Sequence, residues 1–404
     1  MNNKVLFISK VCPFPVISGE ILRIYNLAKH LSKSWDIDII CPRPAKKEFE
    51  DYIKNNYKNA IFVDSSAGYQ DKPRFSIFEL IKNLLLVPRE TYGIGGTTYD
   101  KEFAKCIDSH LAANRYNAIL AFSSFVFGVY LNEFKKLNIA CIVDDSAGLY
   151  ILSSLKNKKI GREYFTAIYA YIYNLRWEKR YLSSCKKLIM VSSRDKAWLS
   201  KSVPEANVYV VENGVDTDRF SPEFAKPGTV DGLIIFTGVM NYMPNHDAMS
   251  YCLDKIWPLI KEEMPYAKLK IVGRDPKPEL LALALTKKDV EVTGEVENIP
   301  EAVKGAQVFL SSIRYGSGLK SKIIESLAMG IPVVTTSEGA YGINFKSGEV
   351  GYITDDPKGL AQYTTALIKD KDTWKSMSIA GRKLILKEHN WQDKCEKLSK
   401  ILTL

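Results

Sequence analysis

The sequence predicts an α/β protein built from two Rossmann-like domains, and three observations carry that expectation. Short apolar runs rich in Val, Ile and Leu alternate with longer amphipathic stretches, the pattern of buried parallel strands joined by helical crossovers. At 404 residues the chain is too long for one ordinary core and suits two α/β domains of roughly 200 residues each. After the spacer Ala225-Lys226-Pro227-Gly228 the series begins again at Leu233-Ile234-Ile235-Phe236-Thr237-Gly238. Residues 1–222 read as an N-terminal domain, 223–387 as a second domain and 388–404 as a C-terminal amphipathic helix.

Lys4 to Ser9 is the first strand, followed by a proline-punctuated loop from Lys10 to Glu20 and a helix whose Ile21, Ile24, Leu27, Ala28 and Leu31 share one face. Strand, loop with a glycine at its end, and helix form half of a Rossmann-like unit, although one glycine does not make a dinucleotide fingerprint. Asp36 to Cys41 is the second strand. Its Asp36-Ile37-Asp38 copies an Asp-x-Asp metal-binding pattern, and alternation along a strand explains it more simply. Lys46 to Lys58 reads as a polar helix. The apolar run from Phe75 to Val87 stops at Pro88; it packs in a core or, being too short to span a bilayer, dips into a membrane interface or a binding groove.

Asn117 to Phe122 and Ile139 to Val143 are further buried strands. The second runs into Asp144-Asp145-Ser146, carboxylates at the carboxyl end of a strand, where open α/β sheets bind ligands. An N-cap at Asp145 or Ser146 is the other reading. Phe165 to Leu182 is a long amphipathic helix with Phe165, Tyr169, Tyr173 and Trp177 at four-residue steps, either a packed face or a membrane belt. Leu188 to Ser193 is a strand running into a serine N-cap for the helix from Arg194.

In the second domain Gly238 ends the first strand and lets a phosphate approach the backbone. Leu269 to Arg274 repeats strand and loop. The most informative stretch runs from Ser311 to Thr336, after the apolar run Ala306 to Leu310: strand, glycine loop, helix from near Leu319, then a Gly330-Ile331-Pro332 turn into a buried strand. Gly316 and Gly318 bring the backbone close to a ligand, and the helix points its N–H groups at it. Lys320 and Lys322 put positive charge where the helix dipole favours carboxylates, so a bound anion accounts for them and helix stability does not. Glu325, about a turn and a half deeper, can accept hydrogen bonds from vicinal hydroxyls such as those of a ribose. An ordinary helix start with solvated lysines is the plainer alternative.

Gly316-Ser317-Gly318-Leu319-Lys320-Ser321-Lys322-Ile323-Ile324-Glu325, continuing to Gly330-Ile331-Pro332-Val333-Val334, resembles the donor-binding segment of the family-four retaining glycosyltransferases (glycosyl transferases group 1), which have the GT-B fold. The second of that family's two glutamates matches Glu325. The first falls on Ser317, so the chain resembles the branch that carries Gly-x-Gly-Leu-Lys-x-Lys. Asn213-Gly214-Val215-Asp216 matches the family's linker, and turn chemistry explains its Asp216-Thr217-Asp218. Likeness implies two Rossmann-like domains facing across a cleft, the terminal helix crossing back onto the first. It implies donor contacts from Ser18, Gly19, Arg23, Gly238, Val296, Gly316, Ser317, Gly318, Leu319, Lys320 and Glu325. Many relatives add an arginine and a lysine in the loop that here reads Val239 to Ala248; without them, Lys320 with Arg274 or Lys322 supplies the charge. Many also carry a histidine near Asp144, so Asp144, Asp145, Lys320 and Glu325 are the catalytic candidates.

The resemblance implies transfer of a sugar from a nucleotide-diphosphate sugar to a glycan or lipid-linked acceptor, with retention, no cofactor and no metal, in surface polysaccharide biosynthesis. A nucleotide-sugar epimerase on the same fold and a non-catalytic transferase-like partner are the rival readings. Seven scattered cysteines and four histidines without paired spacing fit no zinc or disulfide framework. Residues 1–224 hold 32 Lys and Arg against 24 Asp and Glu, while residues 225–404 hold 24 against 22, so the positive surplus lies in the first half. That surplus favours a nucleotide diphosphate, an acidic glycan or an anionic membrane face. No basic helix or zinc finger speaks for nucleic acid. Met1-Asn2-Asn3-Lys4 leads at once into a strand, with no signal-peptide pattern and no run near ~18 apolar residues, so a cytoplasmic location is expected, with possible peripheral contact at the inner membrane face.

Overall fold

The computed structural model describes residues 3–16, 19–64, 77–88, 99–143, 146–155, 160–316 and 318–404. Ser18, Asp144, Asp145, Ser317 and the start of the Phe75 to Val87 run lie outside them. Two compact units are present, Met1–Glu212 with Trp391–Leu404, and Asn213–Asn390.

Unit 1 contains β1 (Asn3–Ser9), β2 (Trp35–Pro42), β3 (Asn59–Val63), β4 (Ala118–Phe122), β5 (Ile139–Val143), β6 (Lys187–Met190) and β7 (Asn207–Val210), in the order β3-β2-β1-β4-β5-β6-β7. All of these pairings are parallel. Successive side chains of β1 enter opposite cores, as the two-residue strand period requires. Val5 and Phe7 pack with Ile24 and Leu27 of the helix Gly19–Leu31 and with Trp391, Leu398 and Ile401 of the helix Trp391–Thr403. Leu6 and Ile8 pack on the other side with Phe103, Ile107, Tyr173 and Trp177. The terminal helix is tied down by Trp35 Nε1 donating to Ser399 Oγ (2.8 Å) and Asn138 Nδ2 donating to the Leu402 carbonyl (2.8 Å).

Unit 2 contains β8 (Leu233–Thr237), β9 (Lys268–Val272), β10 (Val290–Val292), β11 (Val308–Ser311), β12 (Val333–Thr335) and β13 (Gly351–Ile353), in the order β10-β9-β8-β11-β12-β13, again parallel. One continuous apolar core fills it. Strand order reverses where β8 lies beside β11, and the crevice outside the carboxyl ends of such a pair is where open α/β sheets bind ligands. Gly238 follows β8 and the glycine loop follows β11, so both stand at that reversal.

Asp38 and Asp216, from the two Asp-x-Asp patterns, both have partners within the chain. Asp38 is buried near the start of β2, paired with Lys4 (3.0 Å) and accepting from Tyr116 (2.7 Å) and Asn59 (2.8 Å). Asp216 accepts from the Asp218 and Arg219 backbone amides, an Asx turn. Among the described residues no group of three His, Cys, Asp or Glu is arranged to hold a metal, none of the seven cysteines is in a disulfide, and no helix is long and apolar enough to cross a membrane.

Candidate functional site

Two strand ends in unit 2 meet through glycine. Gly238 and Gly273 follow β8 and β9, each with φ +154°. A Cβ on Gly273 would stand 1.7 Å from the Gly238 carbonyl oxygen, so the two loops touch backbone to backbone. Met240 N donates to the Arg274 carbonyl (2.9 Å) and Gly273 N to the Gly294 carbonyl (3.1 Å), which fixes the loops after β8, β9 and β10 side by side. Arg274 keeps a partly exposed side chain 3.8 Å from the Asp275 carboxylate. Val296 is half-buried against the core and offers little beyond backbone.

The second half of the site is the glycine loop. Gly316 (φ +141°) and Gly318 (φ +66°) occupy conformations that favour glycine. Leu319 is buried, and the helix begins at Ser321, not near Leu319: Lys320 takes the N-cap position, so Lys322 is the lysine within the first turn. Lys320 is buried, donates to the Gly318 carbonyl (3.1 Å) and lies 3.4 Å from Glu338 Oε1, a carboxylate from the loop after β12.

Lys322 connects the two halves. Its ammonium donates to Asn245 Oδ1 and lies over the Phe236 ring at 4.8 Å, while Asn245 Nδ2 donates to the Val239 carbonyl (2.9 Å). Burial, with Lys320 adding to it and Glu325 opposing it, pushes the Lys322 ammonium down to about 7. A Cβ on Gly238 would lie 3.0 Å from Lys322 Nζ, so the lysine reaches the first strand end itself. The Glu325 carboxylate accepts no hydrogen bond from the described residues, while its backbone carbonyl accepts from the Met329 amide (3.0 Å). Burial pushes its carboxyl up to about 7, with Lys322 and Arg219 holding it lower than burial alone would. Two ammonium groups, three glycine-shaped backbone turns and one carboxyl without a hydrogen-bond donor thus converge on the carboxyl ends of β8 and β11, a constellation that can grip an anion next to a hydroxyl-bearing group.

Residues predicted in unit 1 fare differently. Gly19 is the exposed first residue of the helix Gly19–Leu31, where an added Cβ would meet nothing within 4 Å. Arg23 is 1% exposed and its Nη2 donates to the Val211 carbonyl (2.8 Å), so it ties the first helix to the residue after β7.

A model described as "Glycosyltransferase Family 4" matches residues 22–219, and one described as "Glycosyl transferases group 1" matches residues 231–370. The chain belongs to the group 1 glycosyltransferases. This glycosyltransferase is 26% identical over 224 residues to the lipopolysaccharide core biosynthesis mannosyltransferase LpsB of Rhizobium meliloti, covering 51% of the chain and 62% of the relative. It is 25% identical to the phosphatidyl-myo-inositol mannosyltransferase of Mycobacterium leprae, over 50% of the chain and 55% of the relative. The alignments therefore span less than two thirds of either relative. A 44.6 kDa protein of the Klebsiella pneumoniae cps region is 22% identical across 87% of the chain and 88% of the relative. Among solved structures, sucrose-phosphate synthase of Thermosynechococcus elongatus superposes with TM-score 0.68 (15% identity, 99% and 98% of the two chains). TarM superposes at 0.70 (11%, 100% and 99%), and HepE of Anabaena, solved with UDP-glucose, at 0.67 (13%, 99% of each). The glycosyltransferase thus has the GT-B fold.

Sequence reasoning did not single out Gly273, Asn245 or Glu338. Gly273 ends an apolar strand just as Gly238 does, a parallel that was readable. Asn245 and Glu338 lie in loops whose contacts with Lys322 and Lys320 span 77 and 18 residues, and no local pattern marks them.

Proposed function

We propose that this glycosyltransferase takes a sugar from a nucleoside-diphosphate sugar held by unit 2 and transfers it, with retention and without a metal or other cofactor, to a glycan or lipid-linked acceptor of a surface polysaccharide. One observation carries the reading: Lys320 and Lys322 stand with Gly238, Gly316 and Gly318 at the carboxyl ends of β8 and β11, with Glu325 a turn deeper. The lysines and backbone amides would take the diphosphate and stabilise the charge that grows on it as the glycosidic bond breaks. Glu325 would accept from vicinal hydroxyls of the donor. The leaving phosphate would take the acceptor's proton, and Asp144 and Asp145, following β5 in unit 1, would orient that acceptor. HepE, solved with UDP and with UDP-glucose, supports the donor class, and the lipopolysaccharide and phosphatidylinositol mannosyltransferases support the acceptor class.

The test is a thermal-shift screen of nucleoside diphosphates followed by turnover with the matching sugar nucleotide. One nucleotide should raise Tm, since a ligand at a hundred times its Kd stabilises by about 2.7 kcal/mol. The product should keep the donor's anomeric configuration, and chelator should leave the rate unchanged. Sugar interconversion without an acceptor would make it an epimerase. Binding without turnover across a broad acceptor panel would make it a non-catalytic partner.

A further inference from the structure

Among the described residues of unit 1, five of the eight large apolar side chains left exposed stand on two helices that touch. On the helix Ile77–Leu86, Leu84 packs into the core while Ile81 (53% exposed), Leu85 (68%) and Leu86 turn outward with Lys82. The sequence left a core, a membrane interface or a binding groove open for this run, and its described side chains divide between packed and exposed. On the helix Arg162–Leu182, Tyr173, Trp177 and Tyr181 face the core. Phe165 (64% exposed), Ile172, Arg176 and Lys179, spaced seven, four and three residues apart, fall on one outward stripe. Arg180 joins the two helices by donating to the Leu86 carbonyl (2.6 Å), and Tyr181 does so by donating to the Val87 carbonyl (2.7 Å).

Positive charge dominates the described part of this face. Among the described side chains of the two helices, the exposed charged ones are Lys82, Arg162, Arg176, Lys179 and Arg180, against Glu163. Stability of either unit accounts for none of this, because outward Leu, Ile and Phe bury nothing there. A protein partner is a poorer match, since charged residues are depleted from the cores of protein interfaces and here they stand among the apolar side chains. Apolar side chains set among arginines and lysines on an outward helical face match the boundary between acyl chains and anionic headgroups. We propose that this paired-helix face seats unit 1 on an anionic lipid bilayer, with Ile81, Leu85, Phe165 and Ile172 entering the headgroup boundary and Lys82, Arg176 and Lys179 meeting lipid phosphates. The seat would bring the enzyme to the surface where a lipid-linked acceptor is met. In that respect the inference rests on the proposed function, but its test measures lipid binding and no transfer.

The experiment is co-sedimentation of the full chain with phosphatidylcholine vesicles with and without a minority of phosphatidylglycerol, across a salt series. The chain should bind the anionic vesicles, bind phosphatidylcholine alone at least about tenfold more weakly, and be released as salt rises. Lys82→Gln and Lys179→Gln should each weaken binding about fivefold. The double substitution Ile81→Gln, Leu85→Gln should abolish binding at unchanged Tm and unchanged nucleotide-induced shift. No binding to anionic vesicles, or binding indifferent to all of these variants, overturns the proposal. So does a concentration-dependent dimer that Ile81→Gln, Leu85→Gln dissolves without vesicle binding ever appearing, which would make the face a contact between copies.

Discussion

Lys322 is a cation kept for use. It is drawn from water, its ordinary value is pushed down to about 7, and Asn245 and the Phe236 ring hold it in place. Below that value it is charged; as pH rises through it the charge is lost, while Glu325 ionises over the same interval. Both changes oppose an anion, so diphosphate affinity should fall about tenfold between about pH 6 and 8, and Lys322→Met should flatten the profile. Calorimetric titration across that range checks it. Lys320 shares its charge with Glu338. Glu338→Gln should remove that competing carboxylate and tighten diphosphate binding about threefold, whereas Lys320→Ala should lower kcat steeply and leave the fold intact. At Gly273 the constraint is steric, so Gly273→Ala should cost at least about 2 kcal/mol in a urea titration. The lysines and the strand-ending glycines were legible as residue types in a pattern. The burial of Arg23 was not, because its partner Val211 lies 188 residues away.

At the scale of elements, the least expected arrangement is beneath the helix Ala147–Leu155. Glu178 and Asp195, both fully buried, approach its first turn: Ser146 N donates to Asp195 Oδ1 (3.4 Å), and the Ala147 amide lies toward Glu178. Burial pushes Glu178 up to about 8, Asp195 adds to this, and the Ala147 amide partly offsets it. The folded state therefore holds a proton that the unfolded chain, with an ordinary carboxyl, has given up. Stability from the neutral form is complete below the ordinary value and is lost as pH climbs to about 8. Glu178→Gln carries no such loss, so its Tm should rise relative to the unsubstituted protein by a few degrees from about pH 5 to pH 8. Parallel Tm curves against pH would refute this. Central strands and long helices were readable from their apolar periods. The edge strands β3 and β13 were not, since Asn59–Val63 and Gly351–Ile353 are brief and only partly covered. The π-helical turns Phe127–Leu131 and Cys252–Ile256 likewise carry no local mark.

For the whole molecule, the division of labour follows from charge and topology together. Most of the positive surplus lies in the first half of the sequence, whereas the lysines proposed to hold an anion lie in unit 2, so net charge and the proposed site point to different units. The strand reversal between β8 and β11 is what concentrates function: it opens the crevice, and the loops leaving those two strands fill it with glycine and lysine. Calorimetric titration of the intact protein with nucleoside diphosphates, beside Lys320→Met and Lys322→Met, tests this most directly. One diphosphate should bind at a single site, and each substitution should weaken it at least about tenfold with Tm of the free protein little changed. Absence of binding by every nucleoside diphosphate, or binding untouched by both substitutions, would contradict the account.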